Sequence, residues 1–288
     1  MKIKKAVIPV AGLGTRLLPA TKTVPKELLP IVDIPAVQYV VEEAVSAGIN
    51  EVIFVTGRGK DSIEDHFDFA PELEQVLEER GQKETVEAIK RISEMIEVVA
   101  VRQKRPLGLG HAILCARDLI GDEPFAVLLA DDLIDAQVPC VRQLLNVFEE
   151  RGESVVALMQ VASEEVHRYG VIGGPQIQSR LYEIETMVEK PSRQEAPSRL
   201  AIIGRYVLRP EIFSQLGRLV PGRGGEIQLT DGLVSLQQER KVYGYEFMGE
   251  RYDVGDKLGF VMANVAYALK RPELRGEMKN YLRSVIDV

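Results

Sequence analysis

Residues 6–30 read AVIPVAGLGTRLLPATKTVPKELLP. An apolar run, Ala6-Val7-Ile8, leads into Ala11-Gly12-Leu13-Gly14-Thr15-Arg16, and a second basic site, Lys26, follows a proline-punctuated loop. The pattern predicts a strand that ends in an anion cradle. Glycines let the backbone turn tightly and bring N–H groups close to an anion, while Arg16 and Lys26 supply full positive charge. The motif is not a dinucleotide fingerprint, because the third glycine of GxGxxG would fall on Leu17, and it lacks the longer glycine spacing of a Walker A loop. Taken alone it also fits a plain turn. Two cations on one loop at the carboxyl end of a first strand, however, sit where open α/β sheets bind ligands. The apolar neighbours Val24-Pro25 and Leu28-Leu29-Pro30 argue against Lys26 being a solvated surface lysine.

Working outward, strands and helices alternate. A helix over Ala36–Val45 closes at Gly48, Glu51–Thr56 (EVIFVT) is a second strand, and Gly57-Arg58-Gly59-Lys60 opens a helix that runs through His66. A charged helical insertion spans 71–94, read as a solvated hairpin on one edge, with a lid or subunit contact as the other option. Ile96–Val101 resumes the sheet, His111–Ile120 is a helix, and Phe125–Ala130 (FAVLLA) is a buried strand that stops at Asp131-Asp132. Val138–Glu150 and Ser154–Val161 are the next helix and strand. Beyond residue 165 strands are joined by turns, and Gly222-Arg223-Gly224-Gly225 starts a helix over Glu226–Glu239 that precedes the turn Tyr252-Asp253-Val254-Gly255. The expected fold is α/β: a Rossmann-like, mixed, mostly parallel central sheet flanked by helices, with a small additional β subregion. One large domain over 1–288 is expected, in three stretches, 1–165, 166–256 and a pair of helices over 257–288.

Composition excludes several function classes. Hydrophobic residues are 45% and charged residues 27% of the 288, ordinary for a globular chain. A net charge of −7 argues against coating nucleic acid, which needs clustered excess Lys and Arg. No apolar run approaches the ~20 residues of a spanning helix. The basic start Met1–Lys5 is followed by too short an apolar stretch for a signal peptide, so the expectation is cytoplasmic. Cys115 and Cys140 lack CxxC spacing and read as reduced core thiols.

Further side chains could carry chemistry. A carboxylate at the end of a buried strand is costly unless it is paired or binds a metal. Neighbours in a strand face opposite ways, so of Asp131 and Asp132 one is expected to ligate Mg²⁺ and the other to accept hydrogen bonds; capping a turn is the plainer alternative. Asp253 is a candidate second metal ligand on the same sheet edge. Glu189-Lys190-Pro191 reads as a solvated ion pair or, facing a phosphate, as a hydroxyl acceptor and a point-charge clamp. Gln103 and the loop Leu107-Gly108-Leu109-Gly110 could recognise a base. His66, His111 and His167 are scattered, with no serine elbow or HExxH partner. Together the parts suit metal-assisted transfer at phosphorus, where protein supplies positioning and charge neutralisation and an ionised phosphate nucleophile needs no general base.

GLGTRLLPATKTVPKELLP, FAVLLADD, VEKP, GGEIQLTD and YDVGD together resemble the sugar-nucleotide pyrophosphorylases, over essentially the whole chain. The LADD form, the TKTVPKELLP loop and the charged insertion resemble the branch that joins UTP to glucose-1-phosphate, rather than the thymidylyl- and adenylyltransferases. The resemblance implies that Ala11, Gly12, Gly14, Thr15, Arg16, Lys26 and Glu27 hold the phosphates and uridine of UTP, with Gln103 and Gly108 on the uracil. It implies Mg²⁺ on Asp131 and Asp253, glucose hydroxyls on Asp132, Gly170 and Glu189, and the sugar phosphate on Lys190. Catalysis would then rest on Arg16, Lys26, Asp131 and Lys190, and 222–231 would be a wall near the sugar. Stretches 1–165 and 166–256 become a nucleotide half and a sugar-phosphate half. The products would be UDP-glucose and pyrophosphate, and a homodimer or homotetramer is implied. The competing readings are the same reaction with another nucleotide or sugar phosphate, and a non-catalytic sugar-nucleotide sensor.

Overall fold

The computed structural model describes residues 2–286. In chain order the first half runs β1 (Lys5–Pro9), the small hairpin β2 (Pro30–Ile31) and β3 (Ile34–Pro35), α1 (Ala36–Ser46), β4 (Glu51–Thr56), α2 (Asp61–Asp65), α3 (Pro71–Glu79), α4 (Lys83–Ser93), β5 (Glu97–Arg102), α5 (Leu109–Cys115), α6 (Arg117–Ile120), β6 (Phe125–Leu128), β7 (Asp132–Asp135) and α7 (Cys140–Arg151). The rest is β8 (Ser154–Gln160), β9 (Gly170–Gly173), β10 (Gln176–Gln178), β11 (Leu181–Glu183), β12 (Thr186–Glu189), β13 (Leu200–Leu208), α8 (Ile212–Arg218), α9 (Leu229–Gln237), β14 (Val242–Glu246), β15 (Glu250–Asp253), α10 (Lys257–Lys270) and α11 (Pro272–Ile286).

The main sheet has eleven strands, and its spine is ordered β10-β11-β14-β8-β13-β6-β1-β4-β5. From β14 to β5, β13 alone runs against the other strands, because it pairs antiparallel with both β6 and β8 while β1, β4, β5 and β6 form parallel neighbours. β9 pairs with β13 and β12 with β9, forming the small β subregion beside the spine. The expected mixed, mostly parallel sheet is therefore found.

Strand periodicity explains why both faces are covered. Ala6 and Ile8, Val52 and Phe54, and Ala126 and Leu128 face one core layer with Val37 and Val40 of α1 and Leu144 and Phe148 of α7. The alternate residues Val7, Ile53, Val55, Phe125 and Val127 face a second layer with Ile113 of α5, Phe213 and Leu216 of α8 and Leu233 of α9. Successive strand side chains point to opposite faces, so unbroken apolar runs require helices on both sides.

Three local expectations are corrected. The helix expected over His111–Ile120 is two short helices, α5 and α6, broken at Ala116. The segment from Gly222 is a loop with a 3-10 turn, and α9 starts only at Leu229; Gly224 and Gly225, at φ 76° and 75°, cannot continue a right-handed helix. Tyr252-Asp253 is not a turn but the end of β15, which pairs antiparallel with β7 and sets Asp253 opposite Asp132. That ribbon lies outside the main sheet, so Asp253 is not on the sheet edge expected for it. No described helix is long and apolar enough to cross a membrane.

Candidate active site

The carboxyl ends of β1, β5 and β6 open onto a cleft of about 840 Å³. Ala11, Gly12, Gly14, Thr15, Arg16, Lys26, Glu27, Gln103, Gly108, Asp131, Asp132, Gly170, Glu189, Lys190 and Asp253 all line it, although they come from segments far apart in the chain. The structure thus brings every sequence-selected site residue to one place.

The first wall is the loop after β1. Gly14 adopts the left-handed region at φ 67°, and a Cβ there would stand 3.2 Å from Lys26 Cβ and 3.3 Å from Thr21. Glycine is required by backbone and by space alike. Thr21 Oγ1 donates to the Gly14 carbonyl at 2.7 Å, folding the loop back so that Lys26 faces the same opening. Lys26 Nζ donates to Asp131 Oδ2 at 2.5 Å, and Arg16 Nη2 lies 3.6 Å from the same oxygen. Burial pulls the Lys26 ammonium pKa down, but Asp131 and Glu27 outweigh it and the net direction is up. Burial pushes the Asp131 carboxyl up, whereas Lys26 and Arg16 carry it below the ordinary range. Both groups are held charged.

Asp131 and Asp132 have different surroundings. Asp132 is buried: Oδ1 accepts from Arg251 Nε at 2.6 Å, with Arg251 Nη2 also against it, and Oδ2 accepts from the Gly204 N–H at 3.1 Å. Burial, reinforced by Asp131 and Asp253, pushes its carboxyl pKa up despite Arg251. Asp132 is thus the carboxylate committed to holding the protein together, and Asp131 the one presented to the cleft. Beneath both lies Arg205, fully buried, which donates to the carbonyls of Leu129 (3.1 Å), Gly204 (2.9 Å) and Asp132 (2.7 Å) and pairs with Glu43 of α1 at 2.8 Å. This guanidinium staples the corner that carries Asp131.

A metal has a place in this arrangement. A Cβ at Gly255 would fall 2.6 Å from Arg16 Nη2, 2.9 Å from Asp131 Oδ2 and 3.1 Å from Asp253 Oδ1, so the glycine lets the two carboxylates converge, with the Arg16 guanidinium now between them. Among the described residues no group of three or more His, Cys, Asp or Glu could hold a metal by itself. Two carboxylates completed by substrate phosphates are the usual donor set for Mg²⁺, which rarely takes an all-protein cage. The donor set fits.

The far wall carries Glu189 and Lys190. Thr230 Oγ1 donates to Glu189 Oε2 at 2.6 Å, and Lys190 Nζ lies 3.4 Å from Glu189 Oε1. Lys190 adopts φ 48°, uncommon for a residue with a side chain; it lines the cleft and half its side chain is exposed. A Cβ at Gly170 would press on Thr230 and Glu189 at 2.9 and 3.2 Å, so Gly170 keeps this corner open. Cations on both walls face across a space that two phosphorylated reactants could share.

Residues 5–270 match the family model described as nucleotidyl transferase. The chain belongs to the nucleotidyl transferase family. It is 51% identical to the UTP–glucose-1-phosphate uridylyltransferase of Bacillus subtilis (strain 168) over 286 residues, covering 99% of this chain and 98% of that one. Among solved structures, a UDP-glucose pyrophosphorylase complexed with UDP-glucose superposes with a TM-score of 0.86 at 47% identity, covering 94% of this chain and 100% of the other. A UTP-bound UGPase from Acinetobacter baumannii superposes with a TM-score of 0.90 at 40% identity, covering 98% and 99%.

Several groups in or beside this nucleotidyl transferase's cleft have no functional role in the sequence pattern. Arg168 Nη2 donates to Asp253 Oδ2 at 3.2 Å and to Asp256 Oδ2 at 3.1 Å. Arg251 holds Asp132 and packs over Tyr169, its guanidinium carbon 5.4 Å from the ring centre. Lys60, from the loop after β4, is buried and donates to Glu27 Oε2 at 2.7 Å, while Glu27 Oε1 is buried without a hydrogen-bond partner. For Arg251 a signal existed: read as a strand, Glu250–Asp253 puts residues 251 and 253 on one face. Arg168 and Lys60 carry none, since their partners are distant in sequence.

Proposed function

We propose that the cleft catalyses the Mg²⁺-dependent transfer of a uridylyl group from UTP to glucose-1-phosphate, giving UDP-glucose and pyrophosphate. The observation that carries the reading is the opposition of Arg16 and Lys26, gathered at Asp131, to Lys190 across one cleft. The names of the relatives above choose uracil and glucose within the family.

In this reading the backbone of Ala11, Gly12, Gly14 and Thr15, with Glu27, Gln103 and Gly108, receives the nucleotide. Lys190 orients the sugar phosphate, and Gly170, Glu189 and Asp132 border the sugar. Asp132 takes part mainly by bracing the site, because its oxygens are already engaged by Arg251 and Gly204. An oxygen of the sugar phosphate attacks the α-phosphorus of UTP, a new P–O bond forms opposite the bridging oxygen, and that oxygen leaves with pyrophosphate. A phosphate monoester has its second pKa near 6, so the nucleophile is ionised and no proton need be removed. Arg16 and Lys26 neutralise charge on the triphosphate and on the departing pyrophosphate. Asp131 and Asp253 would hold Mg²⁺, whose charge would screen the phosphoryl oxygens of both reactants.

The proposal extends to assembly as a homodimer or homotetramer, supported by Leu258, Val261 and Met262 on α10 and Tyr281 on α11, all exposed. Both cysteines are free, in keeping with a reducing, cytoplasmic setting. Pyrophosphate release in UTP, glucose-1-phosphate and Mg²⁺ tests the function. Turnover that stops on chelation is expected, and no turnover under these conditions overturns it.

A further inference from the structure

Gln103 stands at the end of β5, its backbone N–H bonded to the Thr56 carbonyl at 2.8 Å, so its Cα is fixed by the sheet. Its side-chain amide is fixed as well. Nε2 donates to the Gly108 carbonyl at 3.1 Å and lies 2.9 Å from Nδ1 of His111. A backbone carbonyl accepts only, so the nitrogen of the amide must face it. With one N–H on Gly108, the second points at His111, whose Nδ1 must then carry a lone pair and whose proton must sit on Nε2. Both donors of Gln103 are therefore consumed inside the protein. Its Oε1 accepts no hydrogen bond among the described residues, and Gln103 lines the cleft while His111 does not.

The Gly108 carbonyl is itself held in place by its surroundings, and it also accepts from the Ala112 N–H at 3.1 Å. Gly108 has φ 91°, and a Cβ there would stand 2.9 Å from the Ile227 carbonyl, while the N–H of Ile227 bonds to the Leu107 carbonyl at 2.7 Å. A flipped Gln103 amide would set its oxygen against the Gly108 carbonyl, which accepts only, and would need the His111 proton moved to Nδ1. Without His111 the amide keeps one anchor, at Gly108.

We propose that His111 is a positioning residue that anchors Gln103 in the orientation fixed by the Gly108 carbonyl, so that the amide presents an acceptor to the nucleotide site. The inference rests on the assignment of this cleft to a nucleotide and names which base edge it selects. An outward acceptor pairs with a ring N–H, as at N3 of uracil, and opposes the N3 lone pair of cytosine. His111 supports that choice without touching the ligand.

The test compares UTP and CTP as co-substrates of glucose-1-phosphate in wild type, His111→Leu and His111→Asn. Removing one of two anchors from the amide is expected to raise KM for UTP and to narrow the UTP-over-CTP ratio in kcat/KM by about fivefold or more in His111→Leu. His111→Asn can place an amide oxygen near the position of Nδ1 and is expected to restore the ratio. Equal losses with UTP and CTP in His111→Leu, or no restoration by Asn, overturn the proposal, since a purely structural role would not discriminate between bases. Long-range ¹⁵N–¹H correlation on the wild-type protein, which has three histidines, gives a readout that needs no variant to fold. The Nε2–H tautomer of His111 is expected, and an Nδ1–H tautomer refutes the geometry. Absence of wild-type turnover with UTP would instead refute the function proposed above, leaving the tautomer to judge the role of His111.

Discussion

Arg205→Met is expected to separate the scaffold of the site from its chemistry. Arg205 has no exposed side-chain surface, and its guanidinium pairs with Glu43 Oε2 at 2.8 and 3.0 Å while serving the carbonyls of Leu129, Gly204 and Asp132. Burial lowers the guanidinium's pKa, but Glu43 more than compensates and leaves it raised, so the charge is secure. Methionine fills much of the volume and provides none of the donors. Breaking a buried ion pair by removing one partner costs about 3–5 kcal/mol, because the other charge is left unpaired. For a chain of this size about 2 °C of Tm accompanies each kcal/mol, so a fall of about 6–10 °C is expected. Glu43→Gln keeps an acceptor for the Val141 N–H, which Glu43 Oε1 now receives at 3.0 Å, and removes the stranded charge. The double variant should therefore recover about 1–3 kcal/mol relative to the sum of the single losses. Activity assayed well below the lowered Tm should fall at least about tenfold, because the carbonyls released on Leu129 and Asp132 flank Asp131 and a misplacement of about 1 Å is enough for that. Urea unfolding and pyrophosphate release measure the two effects. Stability within about 1 kcal/mol of wild type would show that the buried pair does not hold the corner and would refute the reasoning.

Asp131→Asn and Lys190→Ala should each lose most activity while remaining folded by circular dichroism; wild-type rates in both would remove those side chains from the mechanism. Asp256 caps α10, its Oδ1 accepting from the N–H groups of Leu258 and Gly259 at 2.9 and 3.1 Å. Burial raises its pKa, but these bonds and Arg168 outweigh it, so the folded value lies below the ordinary 3.8. A depressed carboxyl contributes stability above its unfolded pKa and loses it as pH falls through the folded one. Asp256→Ala should therefore cost about 1 kcal/mol, constant from about pH 5 to 8 and shrinking below about pH 4, in urea titrations across pH. A cost that varies steeply between pH 5 and 8 would contradict the cap.

How much was legible in advance depended on whether the physical cause was local. The apolar runs Ala6–Ile8, Glu51–Thr56 and Phe125–Ala130 announced buried parallel strands, the last of which ends at Leu128, because period and composition are properties of a few neighbouring residues. The glycines at 12 and 14, with Arg16 and Lys26, announced an anion loop for the same reason. What 253 would face was not legible, since Tyr252-Asp253-Val254-Gly255 has turn composition; Val254-Gly255 is the turn, while Tyr252-Asp253 becomes strand only by pairing with Asp132 and Leu133. The opening before Leu229 was misread because glycines next to an apolar-periodic segment look like a helix start, while their positive φ values are set by the loop that packs on Gly108.

The sequence by itself determined the layers of the fold, the anion loop after the first strand and the residue types that the cleft would need. The tertiary structure alone decided which of two adjacent cleft-lining aspartates is the more exposed and which is tied into the protein. That choice is made by Arg251, Gly204 and Arg205, which engage the side chain or carbonyl of Asp132 from other strands and leave Asp131 to Lys26 and Arg16. It alone also placed His111 behind Gln103. Long-range ion pairs and amide orientations depend on groups brought together across tens to hundreds of residues, and no short stretch of sequence contains both partners.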